Sequence, residues 1–208
     1  MDIEKTDFFL EYTDKPPVQN LYEAGRVQRY HANPWMARFG QTDADHQWGC
    51  AALLILLNPS ATKELIKAAV LHDCGERWAG DLPYPTKIAA PEVAEAHGVI
   101  EHYFAKKAGI PSYHISDNEA YWLKFVDRLE SHFYAMLHRP DVLKQDGFLE
   151  QGILIEKMAK RLEVWDQIKD VFSPPEKTME RRAGWLKRKT ASSYETLSGG
   201  LASMLTRR

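Results

Sequence analysis

The chain has only two cysteines among its 208 residues, Cys50 and Cys74, and this scarcity restricts the sites that it can build. Two thiols are too few for a disulfide framework, and there is no paired cysteine spacing of the zinc-finger kind. We therefore expect both thiols to pack as small hydrophobic groups in a reducing compartment. Any bound metal ion must then be held by histidine and carboxylate side chains.

The chain also lacks a long apolar run. Its longest one, residues 51–57, is far shorter than the roughly 20 apolar residues that a membrane span needs, and it lies too far into the chain for a signal sequence. The formal net charge of −2 disfavours a dedicated nucleic-acid-binding protein, which relies on a positive surface. We therefore expect a cytoplasmic protein that binds neither membranes nor nucleic acids.

Positive charge is concentrated near the C-terminus, where a Ser-Gly-rich stretch at residues 192–200 favours flexibility. We expect one main domain over residues 1–172 and a basic, partly flexible extension over residues 173–208. The basic residues of this extension form either a solvated face or tail, or an element that binds phosphate or another subunit. They are Arg181, Arg182, Lys187, Arg188, Lys189, Arg207 and Arg208.

Alternating apolar and polar residues, the pattern of strands, are missing over any useful length, and no internal repeat is present. Helical spacing of apolar residues instead predicts an all-α fold. The expected helices cover residues 21–30, 44–57, 60–74, 91–107, 118–138 and 148–171, with loops at 31–41 and 80–86. Thr42 or Asp43 is expected to cap the second helix and Ser60 the third. The second helix is apolar enough to be buried.

Ionisable side chains interrupt these apolar patterns at three places: His46, the adjacent His72 and Asp73, and Asp127. Burying an unpaired charge costs several kcal/mol, so a bound cation is expected to compensate them. On one helix, adjacent residues point about 100° apart, so an ion shared by His72 and Asp73 would lie above the seam between them. Glu76 would lie on the same helix face, close to that ion.

Four motifs follow one another in this order: Asp45-His46, Leu71-His72-Asp73 with Glu76, Gly80-Asp81-Leu82-Pro83 with Lys87, and Lys124-Phe125-Val126-Asp127. Together they resemble the HD-domain deoxynucleotide hydrolases, a group that includes bacterial 5′-deoxynucleotidases and small phage dATP triphosphohydrolases. The resemblance covers residues 25–129, half of the chain.

The resemblance implies an HD-domain helical bundle with one divalent metal site. The ion, zinc, cobalt, manganese or magnesium, would be held by His46, His72, Asp73 and Asp127. Glu76 would be the acid/base catalyst. Two further histidines, His97 and His102, leave a second metal ion conceivable.

The resemblance also implies four contacts with a deoxynucleotide. Arg29 would bind the phosphate, Tyr30 would bound the sugar and reject ribose, Asp81 would lie near the nucleotide, and Lys87 would neutralise further phosphate charge. Simpler interpretations stay open. Arg29 could lie at a helix end with Tyr30 in the core, and residues 80–87 could form only a rigid turn.

The implied reaction is hydrolysis at the α-phosphorus. Residues 25–31 look closer to the phage triphosphohydrolases, so our first choice is a dNTP triphosphohydrolase of the dATP type, which releases deoxynucleoside and triphosphate. The alternative is a 5′-deoxynucleotidase that hydrolyses dNMPs to deoxynucleoside and phosphate. A non-catalytic nucleotide-binding module is a third interpretation, and the resemblance implies a homo-oligomer in each case.

Overall fold

The computed structural model describes residues 15–144 and 147–172. These residues form α-helices and short 3-10 helices, with one isolated bridge and no β-strand, which confirms the all-α prediction. The chain divides after Leu162 into two compact units. The first unit contains α1 (Pro17–Ala24), α2 (Asp43–Leu57), α3 (Lys63–Leu71), α4 (Glu76–Ala79), α5 (Tyr84–Ala89), α6 (Pro91–Lys107), α7 (Asp117–His138) and α8 (Phe148–Arg161).

The second unit is described only as far as residue 172. It contains α9 (Trp165–Ile168) and a 3-10 helix (Lys169–Phe172), with the Trp165 and Phe172 rings 5.6 Å apart. The single helix expected over residues 148–171 is therefore wrong, because it ends at Arg161. The predicted basic extension, residues 173–208, lies outside the described residues.

The core of the first unit lies around α2 and α7, which pack against each other, while α3 packs against both and α8 against α7. The largest apolar side chains that are fully buried in the described chain are Phe125, Met36, Leu54, Leu65, Leu129, Ile155 and Val126. Each stabilises the fold by roughly 1.5–3 kcal/mol through apolar burial.

The apolar helix α2 is buried on one side only. Cys50 and Leu54 face the core, whereas Trp48, Ile55 and Leu56 are 66–74% exposed. The expectation of a fully buried helix is therefore wrong for the described residues, because α3 and α7 cover only part of a helix that is apolar all round.

Thr42 begins α2 as the sequence predicts. Its hydroxyl accepts a hydrogen bond from the Asp45 backbone N–H, and the Asp45 carboxylate accepts from the Thr42 N–H at 3.0 Å. This reciprocal capping box satisfies two donors that a helix start leaves free. The bounds of α6 and α7 also agree with the sequence within one residue.

The helix expected over residues 21–30 ends at Ala24. The chain then runs beside the start of α2, with Gly25 accepting from Ala44 N–H at 3.1 Å and Arg29 N–H donating to Gln41 at 2.9 Å. A Cβ added at Gly25 would lie 3.0 Å from the Ala44 Cβ, so glycine permits this approach. Tertiary contact has overridden a local helix signal here.

Two further boundaries differ from the sequence expectation. The side chain that accepts the first backbone hydrogen bond of α3 belongs to Thr62, not Ser60, and the helix ends at Leu71 rather than near residue 74. The predicted loop at residues 80–86 contains the start of α5, where Pro85 fits the first helical turn. No helix within the described residues combines the length and the apolar composition that crossing a membrane requires.

The capping assignment can be tested with a matched pair of variants. Thr62→Ala removes the oxygen that accepts from Leu65 N–H, and we expect the free energy of unfolding in urea to fall by about 1 kcal/mol. Ser60→Ala, two residues away, should change it by less than about 0.5 kcal/mol. Equal losses in both variants would contradict the assignment.

Candidate metal centre

Three parts of the chain bring the four predicted ligands together. His46 Nε2, in α2, lies 3.2 Å from Asp127 Oδ1, in α7. The same nitrogen lies 3.7 Å from Asp73 Oδ2, directly after α3, and that oxygen is 3.4 Å from His72 Nε2. Two imidazole nitrogens and two carboxylates therefore face one small region, with His46 fully buried and the Asp127 side chain 39% exposed.

His72 carries the observation that best fits a cation. Its Nδ1 lies 3.0 Å from the Ala69 carbonyl oxygen, and a carbonyl can only accept, so Nδ1 holds the proton and Nε2 presents its lone pair. That Nε2 is buried and makes no hydrogen bond. A buried acceptor without a donor is costly, and a metal ion ligated at Nε2 would satisfy it.

The turn at residues 72–75 is what aims His72 and Asp73 at the same point. The sequence predicts a continuous helix here, with Glu76 on the same face as both residues; instead α3 ends at Leu71 and Glu76 begins the separate helix α4. A Cβ added at Gly75 would lie 2.5 Å from the Glu101 carbonyl oxygen, so the close approach of α6 requires glycine in this turn.

A cluster of three carboxylates adjoins the ligands. One carboxylate oxygen each from Asp43, Asp73 and Glu76, of the kind that can ligate a metal ion, lies within 4.8 Å of the other two. Asp43 is fully buried, and neither of its side-chain oxygens makes a hydrogen bond. The sequence singled out Asp43 only as a helix cap; the structure makes it part of the site.

Burial and mutual repulsion change the protonation of this cluster. Burial, followed by the charge of Asp73, raises the pKa of Asp43 to about 7. The same two causes, in the same order, raise the pKa of Glu76 to about 10. Glu76 therefore carries a proton at neutral pH in the metal-free protein, and its Oε2 makes no hydrogen bond.

Arg29 supplies positive charge to the cluster. Its Nη1 lies 2.6 Å from Asp73 Oδ2 and 4.0 Å from Asp43 Oδ1. The neighbouring Tyr30 adopts a positive φ of 58° and stacks on Tyr134 with ring centroids 6.1 Å apart. The structure thus brings Arg29 to the candidate ligands and places Tyr30 against the partly buried ring of Tyr134.

The other two predicted substrate contacts differ from each other. Asp81 is 3.7 Å from His31 Nδ1, and its negative charge also helps to raise the pKa of Glu76, after burial and Asp73. Lys87 is exposed on α5, and its charge acts on Glu101 of α6. The structure brings Asp81 near the carboxylate cluster, whereas the charge of Lys87 acts on a different carboxylate, Glu101.

Sequence reasoning missed three polar residues that support the site: Glu130, Gln41 and Cys50. Glu130 accepts a hydrogen bond from His46 Nδ1 and another from Gln41 Nε2, the latter at 2.7 Å. The Cys50 thiol lies 3.6 Å from His46 Nε2, and burial raises its pKa to about 11. The spacing of Glu130, three residues after Asp127 in an apolar register, was the available signal.

His97 and His102, the two histidines considered for a second metal ion, have different surroundings. His97 Nδ1 lies 2.7 Å from Glu101 Oε1, and its Nε2 is 3.3 Å from the Ala79 carbonyl oxygen. His102 is exposed. Among the described residues, the clustered groups of metal-binding side chains include neither histidine.

Two histidines and two aspartates that face one region are a set of side chains able to hold a divalent metal ion. A family model described as "HD domain" matches residues 33–164, which is more than half of the chain. The chain therefore belongs to the HD domain family, whose members are generally metal-dependent phosphohydrolases. A search of curated proteins found no match. Arg29 and Tyr30 precede the matched range.

Metal binding can be tested with a pair of histidine variants. We expect His72→Ala to weaken Co²⁺ binding by at least about 100-fold, because it removes a candidate ligand itself rather than a neighbour of one. His102→Ala, at an exposed position, should bind Co²⁺ as the wild type does. Cobalt absorption during titration of the chelator-treated protein measures both. Unchanged binding by His72→Ala would contradict the candidate site.

The raised pKa of Asp43 predicts a pH-dependent stability. A carboxyl with a folded pKa near 7 and an unfolded pKa near 4 favours folding below pH 4, and this contribution is lost as the pH rises through 7. We therefore expect Asp43→Asn to stabilise the metal-free protein at pH 8 relative to the wild type. The gain should be on the order of 2 kcal/mol larger at pH 8 than at pH 5.

Urea unfolding of the metal-free protein at both pH values measures this difference. Asp117→Asn is the comparison variant, because Asp117 is an exposed carboxylate in the first turn of α7 and should give the same small change at both pH values. A loss of stability in Asp43→Asn that is equal at pH 5 and pH 8 would show that Asp43 is not under electrostatic stress.

Proposed function

We propose that this chain hydrolyses the 5′ phosphoester of deoxynucleotides in a metal-dependent reaction. One observation carries the proposal: His46, His72, Asp73 and Asp127 face one region, with Arg29 against that region and the buried Glu76 beside it. Ligands, a phosphate-binding cation and a proton carrier are the three parts that phosphoester hydrolysis requires.

His46, His72, Asp73 and Asp127 would hold the divalent ion. When bound, such an ion polarises a phosphate oxygen and lowers the pKa of water. Zinc, cobalt, manganese and magnesium are the candidates, and imidazole ligation favours the transition metals over magnesium. The Cys50 thiol beside His46 adds a soft donor to the surroundings.

Arg29 would bind the phosphate. Its guanidinium already lies 2.6 Å from Asp73, so a phosphate oxygen within reach of the candidate ligands is also within reach of Arg29. The planar guanidinium can donate two parallel hydrogen bonds to one phosphate group and stabilise the charge that develops on it. Asp43, 4.0 Å from the same Nη1, helps to hold the guanidinium on this side of the cluster.

Glu76 would move the proton. Hydrolysis joins a water oxygen to the α-phosphorus, breaks the bond from phosphorus to the 5′ oxygen, and leaves that oxygen as a deoxynucleoside hydroxyl. Glu76 would donate a proton to the departing 5′ oxygen and receive one from the attacking water, so that the carboxyl ends in the state in which it began. Its buried Oε2 without a hydrogen-bond partner is free for this exchange.

Tyr30 and Asp81 would contact the nucleoside part. Tyr30 is fixed by its stacking on Tyr134, and a fixed ring beside Arg29 can exclude a 2′-hydroxyl sterically. Asp81 is near enough to the carboxylate cluster to act on its charges and can accept hydrogen bonds from a sugar or base. These contacts are the support for a deoxyribonucleotide as the substrate class.

The first choice for the substrate is a dNTP of the dATP type, supported by the sequence of residues 25–31. The position of Lys87 favours the alternative, a 5′-deoxynucleotidase: Lys87, the predicted partner of additional phosphates, is exposed and its charge acts on Glu101. A monophosphate needs fewer cations than a triphosphate does. The non-catalytic interpretation has less support, because a binding module needs no buried Glu76 with a raised pKa.

Two other parts of the proposal concern the protein's surroundings. Cys50 and Cys74 are both free and buried, which suits a cytoplasmic, reducing compartment. A homo-oligomer remains a prediction from the family resemblance.

Product analysis tests the function. We expect the Co²⁺- or Mn²⁺-loaded protein to release deoxynucleoside from dNTPs or dNMPs, with little turnover of the ribose counterparts. Deoxynucleoside with intact triphosphate identifies the triphosphohydrolase, and phosphate from dNMPs alone identifies the nucleotidase. Glu76→Gln should keep the bound metal and lower kcat by about 100-fold or more. No turnover of any nucleotide by the metal-loaded wild type would contradict the proposal.

A further inference from the structure

Glu130 is a buried carboxylate that none of the proposed catalytic steps uses. It lies on α7, one turn after Asp127, and is 9% exposed. One of its oxygens accepts from Nδ1 of His46, and the other accepts from Gln41 Nε2 at 2.7 Å. Both oxygens therefore have fixed partners, and one of these partners is a candidate metal ligand.

The surrounding backbone is shaped to admit this side chain. A Cβ added at Gly49 of α2 would lie 2.6 Å from the Glu130 Cγ and 3.3 Å from its Oε1. Glycine at this one position lets α2 and α7 approach with the Glu130 side chain between them. The interaction is therefore built into the packing of the two central helices.

We propose that Glu130 is a positioning residue that keeps a proton on His46 Nδ1, so that Nε2, which lies 3.2 Å from Asp127 and 3.7 Å from Asp73, is the nitrogen left to ligate a metal ion. This inference rests on the proposed role of His46 as a metal ligand. A carboxylate that accepts from the distal nitrogen of a ligating histidine fixes the ring orientation and the tautomer and makes the ligating nitrogen more basic.

The two histidines of the site are oriented by different groups. The Ala69 backbone carbonyl accepts from Nδ1 of His72, whereas a charged side chain accepts from Nδ1 of His46. A carboxylate is the stronger acceptor of the two, so it also strengthens its histidine more as a ligand.

Gln41 connects Glu130 with Arg29, the residue that would bind the phosphate. Its side chain is 2% exposed and donates to Glu130, while its backbone carbonyl accepts from Arg29 N–H at 2.9 Å. Residue 41 is therefore hydrogen-bonded both to the carboxylate that orients His46 and to the residue that would bind phosphate. A shift of Glu130 should disturb metal affinity first, because Arg29 bonds to the backbone of Gln41 rather than to its side chain and is also held by Asp73.

Co²⁺ titration tests the inference without any nucleotide. Glu130→Gln keeps the shape of the side chain but replaces one acceptor oxygen with a donor, so it cannot accept from both His46 and Gln41. We expect the Co²⁺ affinity of the chelator-treated full-length protein to fall by about 10- to 100-fold. Glu156→Gln, which removes an exposed carboxylate paired with Lys160, should leave the affinity unchanged.

A second measurement uses the wild-type protein and needs no variant to fold. Long-range ¹H–¹⁵N NMR spectra of the Zn²⁺-loaded protein, assigned with His46→Gln, should show His46 protonated at Nδ1 and ligated through Nε2. Ligation through Nδ1 would overturn the inference, as would equal Co²⁺ affinities in wild type and Glu130→Gln. Wild-type protein that binds neither ion would overturn the metal site and this inference together. Bound metal that depends on Glu130, without turnover of any nucleotide, would support the inference and contradict only the proposed function.

Discussion

Electrostatic repulsion between carboxylates that are buried or partly buried is the constraint on which the arrangement of this protein depends. Asp43, Asp73 and Glu76 are held within 4.8 Å of one another, and burial leaves little water to screen them. The structure relieves the repulsion in two ways, through the Arg29 guanidinium against Asp73 and through raised pKa values at Asp43 and Glu76. A divalent ion would be the third way, and it would turn a destabilising cluster into a binding site.

The fold provides the rigidity that this cluster needs. The capping box at Thr42 fixes the start of α2, which carries both Asp43 and His46. Gly49 lets α7 pack closely enough for Glu130 to reach His46. Gly75 lets the turn after α3 pass beside α6, so that Asp73 points inward. Packing that supports the fold and packing that supports the site are therefore largely the same contacts.

Much of the helical framework could be predicted from the sequence. The bounds of α6 and α7 agree with apolar spacing; in the structure Pro91 occupies the first turn of α6, and the Ser116 hydroxyl accepts from Glu119 N–H at the start of α7. The errors occur where tertiary contact decides, as at residues 21–30, which leave the helix to pair with the start of α2. The helix expected through residue 74 fails for the same reason, since the turn there is set by the packing of α6 against Gly75.

The sequence by itself determined the all-α class, and its ordered His and Asp motifs identified the four side chains that meet, because residue type and helical period are local properties of the chain. Only the tertiary structure decided that Asp43 joins the carboxylates, that Glu130 accepts a hydrogen bond from His46, and that the charge of Lys87 acts on Glu101. These three interactions join separate parts of the chain, and their energies depend on burial and on distances that no local pattern encodes. Sequence spacing can identify a charged residue as a candidate for a site, but only tertiary packing determines which other charged group lies next to it.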